Sequence, residues 1–155
     1  MGCTERSRLK LSDWSRLGLA ELRPIGYTSG VFDFFHLGHA HYLSVCKSYC
    51  TTLVVGVDVD ELVTARKGTG KPVDSFPVRV ESVCRHGAAD FVIEMSLSND
   101  EILQKLRPEI YFIPDNRSLS VERLDLLRHL SIELVVVPYT HGISSTLLTG
   151  VGRLP

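Results

Sequence analysis

The stretch Ser29-Gly30-Val31-Phe32-Asp33-Phe34-Phe35-His36-Leu37-Gly38-His39 gathers residue types that act on anions. His36 and His39 stand three apart at a predicted helix start, so their imidazoles share one face beside backbone N–H groups that lack helical partners. Gly38 has no side chain and lets a ligand approach the main chain closely. Ring N–H groups and a helix N-terminus both donate to anionic oxygens, which suits a polyphosphate. Imidazoles also stabilise charge that builds on phosphorus during a displacement. A lone histidine at such a place is more often a cap or a surface residue; the pair around a glycine is what points to function. His41 adds a third imidazole. No carboxylate or cysteine stands at familiar ligand spacing to make a zinc site of His36, His39 and His41, so His41 is read as exposed and no protein metal site is expected.

A second anion site is read at Gly142-Ile143-Ser144-Ser145-Thr146, where three hydroxyls follow a glycine at a predicted helix start. Plain N-capping by those hydroxyls is the alternative. Arg66, Lys67 and Lys71 fall in a Gly-, Pro- and Lys-rich stretch, 66 to 74, which reads as a solvated loop.

The elements that must position these groups alternate. Strands are predicted at 25–32, 52–58, 90–94, 109–113 and 132–138. Helices are predicted at 37–49, 59–65, 77–86, 99–106 and 119–130, with a last one beginning at 143–148. The strands are apolar on both faces, which argues a parallel sheet covered on both sides. The expected fold is α/β: a Rossmann-like, doubly wound five-stranded parallel sheet, with ligands at the carboxyl ends of the strands. Residues 1 to 23 read as a leader with Leu9, Leu11, Trp14, Leu17 and Leu19 on a short amphipathic helix, 24 to 150 as the domain, and 151 to 155 as a tail.

At 155 residues the chain suits one domain. It is 44% hydrophobic and 23% charged, too apolar for a disordered protein. Seventeen Lys and Arg against 18 Asp and Glu leave a charge of -1, which implies no bulk attraction to nucleic acid or a membrane surface. No apolar run approaches the roughly 20 residues needed to span a bilayer. The four cysteines, Cys3, Cys46, Cys50 and Cys84, form no C-x-x-C pair and follow no secretory signal, so reduced thiols in a cytoplasmic protein are expected.

Gly-Val-Phe-Asp-x-x-His-x-Gly-His, ending at His39, resembles the signature of the cytidylyltransferase-like nucleotidyltransferases, and Gly142-Ile143-Ser144-Ser145-Thr146 is similar to their second motif. The resemblance covers residues 24 to 150. Class I aminoacyl-tRNA synthetases share the first motif, but this length cannot hold their remaining parts, and no Lys-Met-Ser-Lys-Ser loop is present.

The resemblance implies transfer of CMP or AMP from CTP or ATP to a small phosphate monoester, with release of pyrophosphate, Mg²⁺ accompanying the triphosphate and no covalent intermediate. It implies that His36 and His39 contact the phosphates and stabilise the transition state, and that Lys67 and Lys71 close over the triphosphate and acceptor. Val31, Phe32, Asp33, Gly38 and Asp115 are implied in nucleotide binding, with Gly142, Ile143, Ser144, Ser145 and Thr146 around the β- and γ-phosphates. Arg66 and Arg79 are implied as substrate contacts. Asp60 and Asp90 match acidic family positions but equally suit a helix start and a strand edge. A homodimer is implied, and Trp14 with its leucines could join an interface or dock on a partner.

The local string Arg66-Lys67-Gly68-Thr69-Gly70-Lys71-Pro72-Val73 resembles loops of the heptose-phosphate adenylyltransferases and of the ethanolamine-phosphate cytidylyltransferases. No lysine lies between Glu94 and Glu101, where glycerol-phosphate enzymes place a substrate contact, which disfavours glycerol 3-phosphate. Two departures stand out. Tyr139 occupies the place of an arginine common in cytidylyltransferases, and a phenol cannot replace a guanidinium's phosphate fork. Pro114 precedes Asp115 where glycine is usual, removing a backbone donor; Arg117, two residues beyond Asp115, is a candidate replacement charge. The expected function is therefore a nucleotidyltransferase acting on a small phosphorylated sugar, polyol or amino alcohol. The alternative is a nucleotide-binding module of the same fold that has lost turnover.

Overall fold

The computed structural model describes the backbone of Arg8–Leu9 and residues 19 to 139. Arg8–Leu9 forms a two-residue strand, β1, and Leu19–Leu22 a single helical turn, α1. A regular alternation follows: β2 (Ile25–Gly30), α2 (Leu37–Ser48), β3 (Thr52–Asp58), α3 (Asp60–Lys67), α4 (Phe76–His86) and β4 (Phe91–Met95), then α5 (Asn99–Leu106), β5 (Ile110–Pro114), α6 (Val121–His129) and β6 (Glu133–Val137). All pairings are parallel, in the order β1-β4-β3-β2-β5-β6. The fold is the expected Rossmann-like α/β sheet, and its five main strands lie within a residue or two of their predicted bounds.

Three local expectations are corrected. Leu9 is in a strand rather than a helix, and β1 adds a sixth strand against β4, at the sheet's edge. Leu19 is helical as expected, while Leu11, Trp14 and Leu17 lie outside the described residues. Arg66 and Lys67 belong to the last turn of α3 and not to a loop, because the helix runs on until Gly68 at φ 93° ends it. Cys46 and Cys50 carry free thiols, as expected, but Cys84 is disulfide-bonded.

Every residue of β3 is buried, which explains its unbroken apolar run. Leu53, Val55 and Val57 point to the face packed by Leu43 and Cys46 of α2 and by Val80 and Val83 of α4. Val54, with Ile25 and Tyr27, points to the opposite face, where Ile102, Leu103 and Leu106 of α5 and Leu127 of α6 close a second core. The two-residue period of the strands thus feeds two cores through one sheet.

β2 pairs with β3 along its whole length, Ile25 to Gly30. Toward β5 it pairs only through Gly26↔Ile110 and Tyr27↔Tyr111. Beyond Tyr27 a side chain takes over: the Thr28 hydroxyl donates to the Phe112 carbonyl at 3.1 Å. Strand order reverses here, with β3 and β4 on one side of β2 and β5 and β6 on the other. In open α/β sheets ligands bind at this switch point, beyond the carboxyl ends of the strands.

Candidate active site

β2 delivers the chain to the switch point, and a tight loop then turns it into α2. Phe32 and Phe34 adopt φ 57° and 49°, a conformation rare for aromatic residues and held here by the contacts around them. His36 is the N-cap of α2, and its Nδ1 accepts from the Gly38 N–H at 3.0 Å. His39 answers in the other direction: its Nδ1 accepts from the His36 N–H at 3.3 Å. Two imidazoles thus make a reciprocal capping box, a job more often done by Ser or Thr with Glu or Gln. The rings stack with centroids 3.9 Å apart and planes at 25°.

Because each Nδ1 accepts from an amide, the neutral rings carry their proton on Nε2. Burial pushes His39 down to about 3, helped by the neighbouring His36 and the charge of Lys67. Burial also lowers His36. Both rings are therefore neutral at pH 7 and present fixed N–H donors. Gly38 has a different reason from the one its sequence suggests. A Cβ there would lie 2.8 Å from Cε1 of His36 and 3.3 Å from the Tyr139 hydroxyl, so the space left by the missing side chain is taken by the first imidazole.

The loop that carries the histidines is clasped from below. Asp33 accepts from the Val73 and Asp74 N–H groups at 2.9 and 2.8 Å, while Asp74 accepts from the Phe34 N–H at 3.2 Å. Arg79 completes the clasp: it donates to the Val31 carbonyl at 2.7 Å and the Asp74 carbonyl at 3.0 Å, and pairs with Asp60 at 2.6 Å. Its side chain has no exposed surface. Arg79, expected as a substrate contact, has its guanidinium engaged by the scaffold beneath the site. Asp60 likewise serves Arg79 and the Phe76 N–H, and Asp90 holds Lys47 and the Leu53 N–H.

Above the clasp lies an open cleft of about 250 Å³. The end of β2 lines it with Ser29 and Gly30, and the loop adds Val31, Phe32 and Asp33. α2 contributes His39 and Tyr42, α3 contributes Lys67, and the far wall is Pro114, Asn116, Arg117 and Tyr139. His36 stands one layer below the cleft, 2% exposed, with Nε2 3.5 Å from the Tyr139 hydroxyl. Of the sequence candidates, His36, His39, Val31, Phe32, Asp33, Gly38 and Lys67 come together here. Arg66 pairs with Asp58, and Lys71 lies on the exposed connection after α3; neither lines the cleft. Asp115 also stands off it, accepting from the Tyr139 N–H at 3.1 Å. His41 is exposed, as expected. Gly142, Ile143, Ser144, Ser145 and Thr146 lie outside the described residues.

Two contributors were not singled out from sequence. Tyr42 follows His39 by three residues, a helical spacing that places it on the same face; its hydroxyl shares a 2.9 Å hydrogen bond with Thr28. Asp74 sits in a stretch that offers no pattern to single it out. No cluster of three or more His, Cys, Asp or Glu side chains that could hold a metal occurs among the described residues. Nor, among them, is any helix long and apolar enough to cross a membrane.

Known proteins resemble this chain in sequence and in fold. The bifunctional protein HldE of Nitrobacter hamburgensis is 30% identical over 141 residues, covering 90% of this chain and 28% of that longer protein. HldE of Pseudomonas aeruginosa is 36% identical over 87 residues, 56% of this chain and 18% of the relative. Among solved structures, a lipopolysaccharide core biosynthesis protein from Thermoplasma volcanium superposes with a TM-score of 0.61 at 25% identity, covering 75% of this chain and 95% of that one. Pantothenate synthetase from Thermus thermophilus shares the fold at a TM-score of 0.58 and 13% identity, covering 84% of this chain and 61% of its own. The model of one family, described as cytidylyltransferase-like, matches residues 27 to 149, and with the stacked histidine pair at the switch point this chain belongs to the cytidylyltransferase-like family.

Proposed function

We propose that this protein is a nucleotidyltransferase that moves CMP or AMP from the triphosphate to the phosphate of a small phosphorylated acceptor and releases pyrophosphate. The observation that carries the reading is the pair of neutral imidazoles at the start of α2, each with Nδ1 fixed by an amide. A phosphate monoester is already an anionic nucleophile, so the reaction needs no general base. Its oxygen attacks the α-phosphorus in line as pyrophosphate leaves, and catalysis is positioning with stabilisation of developing charge. His39 donates from Nε2 into the cleft, His36 holds the helix start beneath it, and Lys67 supplies positive charge. Mg²⁺ would enter bound to the triphosphate.

A sugar phosphate is the acceptor we favour. Support comes from the similarity to the bifunctional HldE proteins and to a protein of lipopolysaccharide core biosynthesis. The test is pyrophosphate release with Mg²⁺, ATP and CTP separately, against sugar phosphates, phosphoethanolamine, phosphocholine and glycerol 3-phosphate. His39→Ala is the control, expected to cost about 10²- to 10³-fold. Release that depends on a sugar phosphate supports the reading. Nucleotide binding without release from any acceptor would overturn it in favour of a binding module.

A further inference from the structure

His39 brings a donor to the cleft but no charge, and His36 beneath it adds none, because burial keeps both rings neutral at pH 7. A triphosphate beside a phosphate monoester concentrates negative charge that neutral donors alone do not offset. Among the described residues lining the cleft, the cationic side chains are Lys67 and Arg117. They come from elements on either side of β2. Lys67 ends the helix that follows β3, and Arg117 sits in the turn after β5, where its N–H donates to the Pro114 carbonyl at 3.1 Å.

An arginine on an exposed loop is ordinarily a solvated charge, and three observations set Arg117 apart. Arg23, Arg66, Arg79, Arg85, Arg123 and Arg128 each pair with a carboxylate, whereas Arg107 and Arg117 pair with none among the described residues, and of these two Arg117 alone lines the cleft. Its neighbour Asp115 accepts from Tyr139 instead. Arg117 itself lines the cleft, and its charge bears on the hydroxyl of Tyr42, another lining residue. Tyr139, which lines the same cleft, offers a hydroxyl and no charge.

We infer that Arg117 is a phosphate-binding residue, its guanidinium gripping the nucleotide's phosphates from the side of the cleft across β2 from Lys67. The inference rests on the reading of the cleft as a nucleoside triphosphate site. Titration calorimetry with ATP, CTP and inorganic triphosphate at low salt, on the full chain, tests it. Arg117→Ala should weaken triphosphate binding by about 10- to 100-fold. Arg117→Lys should recover part of the loss, keeping the charge without the planar fork. Arg128→Ala, an equal loss of charge on α6, should bind as the wild type does. Thermal unfolding establishes that each variant is folded.

The inference falls if Arg117→Ala binds like the wild type, if Arg128→Ala loses as much, or if the wild type binds none of the three probes. It separates from the proposed reaction. Binding that depends on Arg117, with no pyrophosphate released from any acceptor, keeps this inference and sinks the reaction. Turnover that Arg117→Ala leaves unchanged in both kcat and the nucleotide KM does the reverse.

Discussion

The two imidazoles of α2 do two jobs with one geometry, since the amides that cap the helix also choose the tautomer of each ring. Gly38 is where that geometry is most exposed to a single atom. In Gly38→Ala the new methyl meets the His36 ring at 2.8 Å, so the ring must swing and take its partner with it. The expected result is a kcat lower by about 100-fold, the scale of a 1 Å misplacement, with the fold intact by circular dichroism. Acid provides a second test. His39 stays neutral down to about pH 3 in the folded protein, while in the unfolded chain it titrates near 6.5. Between these values the unfolded chain takes up a proton that the folded chain refuses. Stability is therefore level above about pH 6.5 and declines as pH falls toward 3. The lowered His36 and His86 act in the same direction. Thermal melts at pH 7.5 and 4.5 should show this loss, and His39→Asn should reduce it. The histidine pair was legible because type, spacing and glycine coincide in one short string. Arg79 was not: a charged side chain reads as solvent-facing, and only the fold reveals the three acceptors that let it be buried.

Among the elements, α4 matters to the site although it contributes nothing to the cleft lining. Arg79 reaches from its first turn to the carbonyl of Val31, and so ties helix, connecting loop and signature loop into one unit. Arg79→Ala leaves the Val31 and Asp74 carbonyls without their donor, whereas Asp60 is part-exposed and keeps the Phe76 N–H. The substitution should cost about 2–4 kcal/mol in urea unfolding. Arg79→Lys should not restore this, since one ammonium cannot match a guanidinium held by acceptors on three sides. Ser98→Ala makes the contrast. It removes half of the capping box of α5, on the other face of the sheet, and should cost about 1 kcal/mol with kcat unchanged. The strands were readable because burial on both faces removes polar residues from them, as in β3. α3 was cut short because Arg66 and Lys67 next to two glycines look like loop; a basic last turn ending at glycine carries the same letters. β1 left no periodicity to detect, as two residues make no pattern.

At the scale of the whole molecule, the sheet is sewn unevenly. β3 is laced to both neighbours and β5 to β6 along matching lengths, whereas β2 and β5 share only the register at Gly26 and Tyr27 before Thr28 bridges the gap. In strand pairing the sheet thus reads as two blocks, one of β1 to β4 and one of β5, α6 and β6, with the cleft directly above the short seam, which both cores and the bonds between Ile25 and Glu109 also span. A molecule lodged between Lys67 on one block and Arg117 on the other is a clamp across that seam as much as it is a substrate. Amide hydrogens of β5 and β6 should then exchange more slowly when the cleft is filled, by a larger factor than those of β3, whose neighbours already hold it on both sides. Mass-spectrometric exchange with and without ATP or CTP reads this directly. Equal slowing in both blocks would mean that the seam bears no special load. Slowing confined to β5 and β6 would make the chemical site and the mechanical weak point of the molecule one and the same place.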